Sequence, residues 1–132
     1  MEVSNNRTDI ASRKDIDQFV RDFYGRLLED PEISYIFTDV VGLDLEHHLP
    51  KIADFWDSVL LQAPVYDGNP MRVHMKLNQM TPLGKEQFDI WLRHFDATID
   101  ELFVGPISNQ AKMRAHSIAT VMQTKIWRSQ HN

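Results

Sequence analysis

The 132-residue sequence contains no cysteine. That absence removes disulfides, thiolate zinc sites, cysteine-ligated iron–sulfur clusters and cysteine nucleophiles together. It also lacks an apolar run long enough to span a bilayer. Met1-Glu2-Val3-Ser4-Asn5-Asn6 is not a basic start followed by an apolar core, so no secretory leader is expected, and the cytoplasm is the expected compartment. Clustered positive charge is missing as well. The formal net charge is −5 and the basic residues are scattered, which argues against nucleic acid as a partner. Acidic residues show no spacing that would pair two carboxylates for hydrolysis, and no internal repeat or low-complexity segment occurs.

What remains is an ordinary globular composition, with 42% apolar and 25% charged residues. The length suits one core. Residues 1–11 are polar and are expected to form an N-terminal tail, with 12–132 as a single domain. Ser12-Arg13-Lys14-Asp15 is a helix start, with a capping serine and an acid three residues on. Ile16, Phe19, Val20, Phe23, Leu27 and Leu28 then follow at helical spacing, and Asp30-Pro31 ends the helix. Ile33 to Phe37 reads as one turn or a corner. A second helix is expected from about His47 to Gln62, with Pro50 near its first turn. Its apolar face holds His48, Leu49, Ile52, Phe55, Trp56, Val59 and Leu60. A third long helix is expected to open on Thr81 and Pro82 and carries the strongest stripe: Phe88, Trp91, Leu92, Phe95, Ile99, Leu102 and Phe103. Gly105-Pro106 stops it. The last helix spans about Ser108 to Trp127, with Ala111, Ala115, Ile118, Ala119, Met122 and Ile126 inward. No stretch alternates as a strand does, so the reading is all-α.

Between the second and third long helices lies Asn69-Pro70-Met71-Arg72-Val73-His74-Met75-Lys76-Leu77. Asn69 is suited to cap and Pro70 to occupy the first helical position. His74 then falls one turn in, beside Met71 and Leu77. A single histidine there is compatible with a hydrogen-bonded boundary residue or with a metal ligand. Polar groups also intrude on other apolar faces: His48 beside Ile52 and Phe55, Trp91 among Phe88, Leu92 and Phe95, and Tyr24 bordering the first stripe. Burying these groups costs free energy unless each finds a partner. From the residues alone they are either ordinary part-buried amphipathic side chains or donors gathered around a polar ligand. His47, His94, His116 and His131 are expected at the surface.

Several segments carry a resemblance in the right order and at the right distances. They are Phe23-Tyr24-Gly25-Arg26-Leu27-Leu28, His48 to Trp56, Tyr66-Asp67-Gly68-Asn69-Pro70-Met71 leading to His74, Phe88-Asp89-Ile90-Trp91-Leu92, Asp100 to Pro106, and Ala111 to Ala115. Over about residues 12 to 127 the chain resembles the truncated haemoglobins of group III. The paired-glycine signatures of the other two truncated groups are missing. The resemblance implies a truncated globin fold, a two-over-two helical sandwich around haem b (iron protoporphyrin IX). It makes His74 the proximal iron ligand and Tyr24, His48 and Trp91 the distal residues facing the bound ligand. Phe37 matches the aromatic residue that packs on haem, and Ile52 an apolar distal wall. Phe55, Leu77 and Trp91 join the implied haem contacts, and Arg72 is a candidate for a propionate.

The ligands that the resemblance implies are O2 and, as further candidates, NO, CO, cyanide and peroxide. Three donors in a low-dielectric pocket would slow ligand release, which favours redox chemistry of the ligand over simple oxygen transport. The rival readings are a peroxidase or nitric oxide dioxygenase served by a separate reductase, and a haem-based gas sensor or a haem-free interaction module. Oligomeric state and resting iron coordination stay open.

Overall fold

The computed structural model describes residues 7–36, 45–62 and 83–130. Four long helices are present there: α1 (Arg13–Glu29), α2 (Leu45–Leu60), α3 (Lys85–Leu102) and α4 (Pro106–Gln130). No strand occurs among the described residues. Phe37 and the segment holding Arg72, His74 and Leu77 lie outside them.

The helices form where the apolar spacing predicts. On α1, Ile16, Phe19, Val20, Phe23 and Leu27 are all buried. On α3 the buried set is Phe88, Ile90, Phe95, Thr98 and Ile99. The inner face of α4 is built of small residues, with Ala111, Ala115 and Ala119 almost fully excluded from solvent. Helix α1 packs against both α2 and α3, and α3 against α4. Phe95, at 0% exposure, lies at the meeting point. Its ring stacks on Trp56 at 5.0 Å (27°) and on Trp91 at 5.7 Å (16°). It also meets Phe19 and Phe23 edge-on at 5.8 and 5.2 Å. Three helices thus converge on one ring in the offset and edge-to-face geometries that aromatic quadrupoles favour.

Helix ends depart from expectation in instructive ways. Ser12 has the extended backbone of an N-cap, but its hydroxyl makes no cap bond. Asp15 instead reaches back and accepts the Ala11 N–H at 2.8 Å. Helix α3 begins at Lys85, later than Thr81-Pro82 predicts, because Gln87 Oε1 accepts the Gly84 N–H at 2.8 Å and fixes the first turn there. Helix α4 begins earlier than expected, at Pro106, whose missing N–H has no partner to lose in a first turn. Helix α2 starts two residues before His47, which puts Pro50 inside it. The Pro50 carbonyl accepts from Arg13 at 3.3 Å, and the same guanidinium pairs with Asp54 at 2.8 Å and Asp57 at 3.3 Å, joining α1 to α2.

The residues ahead of α1 pack back onto the fold. Ile10 is buried with the core, and Val104 N–H donates to the Thr8 carbonyl at 3.0 Å. Asp9 accepts from the Ile107 and Ser108 N–H groups at 2.8 Å each and from the Ser108 hydroxyl at 2.7 Å. A carboxylate from before α1 therefore caps α4, where the helix dipole favours negative charge. Gly105 makes this approach possible: at φ +146° a Cβ there would sit 2.5 Å from Asp9. Burial pushes the Asp9 carboxyl up, but bonds from Ser108, Ile107 and Ile10 outweigh it and hold its pKa below the ordinary value. Asp9→Ala is expected to cost about 1–2 kcal/mol in urea unfolding at neutral pH. A depressed folded pKa means that the contribution is complete above the unfolded carboxylate range and lost as pH falls through the folded value. The gap between wild type and variant should therefore close in acid, as pH falls through the folded Asp9 value.

Candidate functional site

Helix α2 carries two parallel stripes. Leu49, Ala53, Trp56 and Leu60 are buried and belong to the core. His48, Ile52, Phe55 and Val59 run beside them at spacings of four, three and four, and are only half-buried. Three of these four are apolar and pack on the edge of the core. His47 is exposed, as expected, and its ring meets that of His48 at 5.7 Å.

Two more expected site residues come from the neighbouring helices. Tyr24 of α1 and Trp91 of α3 are half-buried. Both rest edge-on against Phe23, Tyr24 at 5.3 Å and Trp91 at 5.2 Å. One buried ring thus sets the positions of two hydrogen-bonding side chains from different helices. The chain of rings continues through Phe95 and Trp56 to Phe55, with a Phe55–Trp56 separation of 5.2 Å at 77°. Tyr24, Trp91 and Phe55 are thereby linked, while His48 and Ile52 join them through their common helix. Desolvation pushes the Tyr24 phenol up to about 12. The hydroxyl therefore keeps its proton throughout the neutral range.

The two other described histidines are each paired with a carboxylate. His94 Nε2 lies 2.6 Å from Asp30 Oδ2, and His116 Nε2 lies 2.7 Å from Asp96 Oδ2. His94 is half-buried, not the surface residue expected from sequence, because it faces the end of α1. No cluster of metal-ligating side chains occurs among the described residues.

A profile of the bacterial-like globin family matches residues 8–126. The chain belongs to this family. This globin is 28% identical over 120 residues to a group 3 truncated hemoglobin from Campylobacter jejuni, a match covering 89% of this chain and 92% of that protein. The crystal structure of group III truncated hemoglobin from Campylobacter jejuni superimposes with a TM-score of 0.80 at 26% identity. That match covers 91% of this chain and 94% of the other. The all-α architecture is therefore the truncated globin fold, and membership of a globin family implies haem and the diatomic gases that haem binds.

The described residues of this globin fit such a group. Ile52, Phe55 and Val59 give α2 a half-buried apolar stripe of the kind a porphyrin face needs, and Tyr24 and Trp91, on the two other helices, carry an O–H and an N–H. Phe23 was legible from sequence only as a core residue. Its role as the shared support of Tyr24 and Trp91 depends on how α1 crosses α3, which no spacing rule contains.

Proposed function

We propose that this globin binds haem through His74 and stabilises a diatomic ligand with Tyr24, His48 and Trp91. Haem, when bound, would supply an iron able to take such a ligand. His74 would hold that iron, with Phe37, Ile52, Phe55, Leu77 and Trp91 against the porphyrin and Arg72 near a propionate. What supports this choice is the place of His74 in the stretch 69–77, part of the ordered pattern by which the chain resembles the group III truncated haemoglobins.

The observation that carries the distal assignment is the shared contact of Tyr24 and Trp91 with Phe23. Donors held in place before a ligand arrives need no reorganisation to meet it, and in a low-dielectric site each hydrogen bond is worth more than in water. Tyr24 keeps its proton because burial disfavours the phenolate. Dioxygen held by such donors leaves slowly. That favours reduction or oxidation of the ligand, as in peroxide activation or the reaction of dioxygen with nitric oxide, over oxygen delivery. A separate reductase would then supply electrons.

The test uses purified, haem-loaded protein. Tyr24→Phe and Trp91→Phe each remove one donor and keep the ring. Each is expected to weaken ligand retention by about 1–3 kcal/mol, read as a roughly 5- to 150-fold faster oxygen dissociation. Rates unchanged in both variants would remove the distal assignment. Consumption of peroxide or nitric oxide in the presence of a reductant then decides between turnover and storage.

A further inference from the structure

Helices α1 and α3 meet at two kinds of contact. One is apolar, where Phe23 lies against Trp91 and Phe95. Such contacts set a distance between helices and favour edge-on ring packing, each pair contributing modestly. The other is polar. Asp30 is the C-cap of α1, and its Oδ2 lies 2.6 Å from His94 Nε2 on α3. The two side chains are 13% and 20% exposed, so water competes only weakly for the bond.

The carboxylate is well determined. Asp30 also accepts the Glu32 N–H at 2.9 Å, and Arg93 stands 3.9 Å away. The His94 bond, with that backbone bond, holds the Asp30 carboxyl below the ordinary carboxylate range. An ionised carboxylate only accepts, so His94 Nε2 carries the donated hydrogen. The bond is short and directional, and it anchors the C-cap of α1 to a fixed point on α3.

That fixed point is next to the site. Trp91 precedes His94 by three residues, or about 4.5 Å along the helix axis. Tyr24 precedes Asp30 by six on the other helix. We infer that the Asp30–His94 bond is a positioning pair that holds the α1–α3 crossing and thereby aims the Trp91 N–H into the distal site. The inference rests on the distal reading given above. Neither residue is assigned contact with haem or ligand.

The experiment is a small set of variants of the haem-loaded protein, read by oxygen dissociation. His94→Leu removes the bond at similar volume, whereas His94→Gln retains an N–H donor toward Asp30. Trp91→Phe removes the group said to be aimed, and His94→Leu/Trp91→Phe tests the route. Expected are a roughly fivefold faster dissociation in His94→Leu, recovery of most of that loss in His94→Gln, and no further acceleration by His94→Leu once Trp91 is phenylalanine, a coupling of ordinary size for residues one turn apart. A merely structural bond would accelerate dissociation equally in both backgrounds, and that result overturns the inference. So does wild-type dissociation in His94→Leu while Trp91→Phe is fast. If Trp91→Phe leaves the rate unchanged, the distal reading of Trp91 fails first, and the positioning pair falls with it.

Discussion

Phe95→Ala is expected to destabilise the globin by about 3–5 kcal/mol, the range for removing a fully buried ring. Phe95 has no exposed surface and touches Phe19, Phe23, Trp56 and Trp91. Those partners come from three helices, and each is large and ring-shaped. They cannot collapse into the vacated space without losing contacts elsewhere, so the cavity persists and the cost lies toward the upper end. Against a total stability of roughly 5–15 kcal/mol, this loss removes a large fraction. Haem adds its own binding energy to the folded state, so the comparison belongs in urea unfolding of the haem-free chain. The damage should also reach function, because Trp91 loses the ring it stacks on. Phe95→Leu should cost distinctly less. A loss below about 1 kcal/mol in Phe95→Ala would mean that the helices do not converge there.

His74→Ala is the second large effect. If His74 is the proximal ligand, the variant should lose the intense Soret band or show it strongly altered, and haemin should be retained poorly. The fold itself should survive in the haem-free state, read as retained helical circular dichroism. Soluble imidazole supplies the missing ligand without the chain, so its addition should restore much of the band. Rescue separates loss of a ligand from loss of structure. An unaltered spectrum in His74→Ala would sink the assignment, and His48, on the half-buried stripe of α2, would be the first histidine to examine in its place.

Much of the fold was legible because helical periodicity is a local signal. The α1 stripe from Ile16 to Leu27 and the α4 face of Ala111, Ala115 and Ala119 both end up inside as their spacing requires. The two stripes of α2 were read as one broad face. Separating the buried Leu49, Ala53, Trp56 and Leu60 from the half-buried His48, Ile52, Phe55 and Val59 needs knowledge of what lies opposite. Helix ends were less legible, because competing caps differ by small energies. Gly84 with Gln87 wins over Thr81-Pro82, and Pro106 opens a helix where Gly105-Pro106 reads as a stop. Long-range polar pairs left no local trace. Nothing in Asp30 or His94 announces the other across 64 positions. Tyr24, His48, Trp91 and His74 were found through their order along a known pattern, and for His74 the assignment still rests on that pattern.

The bond between Asp9 and the start of α4 has a consequence for how the chain comes together. Its partners are 98 and 99 positions apart, whereas most contacts in a helical protein are local. Helices α1 and α3 can form and dock before that closure, but α4 lacks its first-turn acceptor until the segment ahead of α1 returns to meet it. Amide hydrogen exchange at Ile107 and Ser108 would therefore report the docking of residues 7–10, at the opposite end of the sequence. Fraying of the last helix would be the first visible sign of damage there.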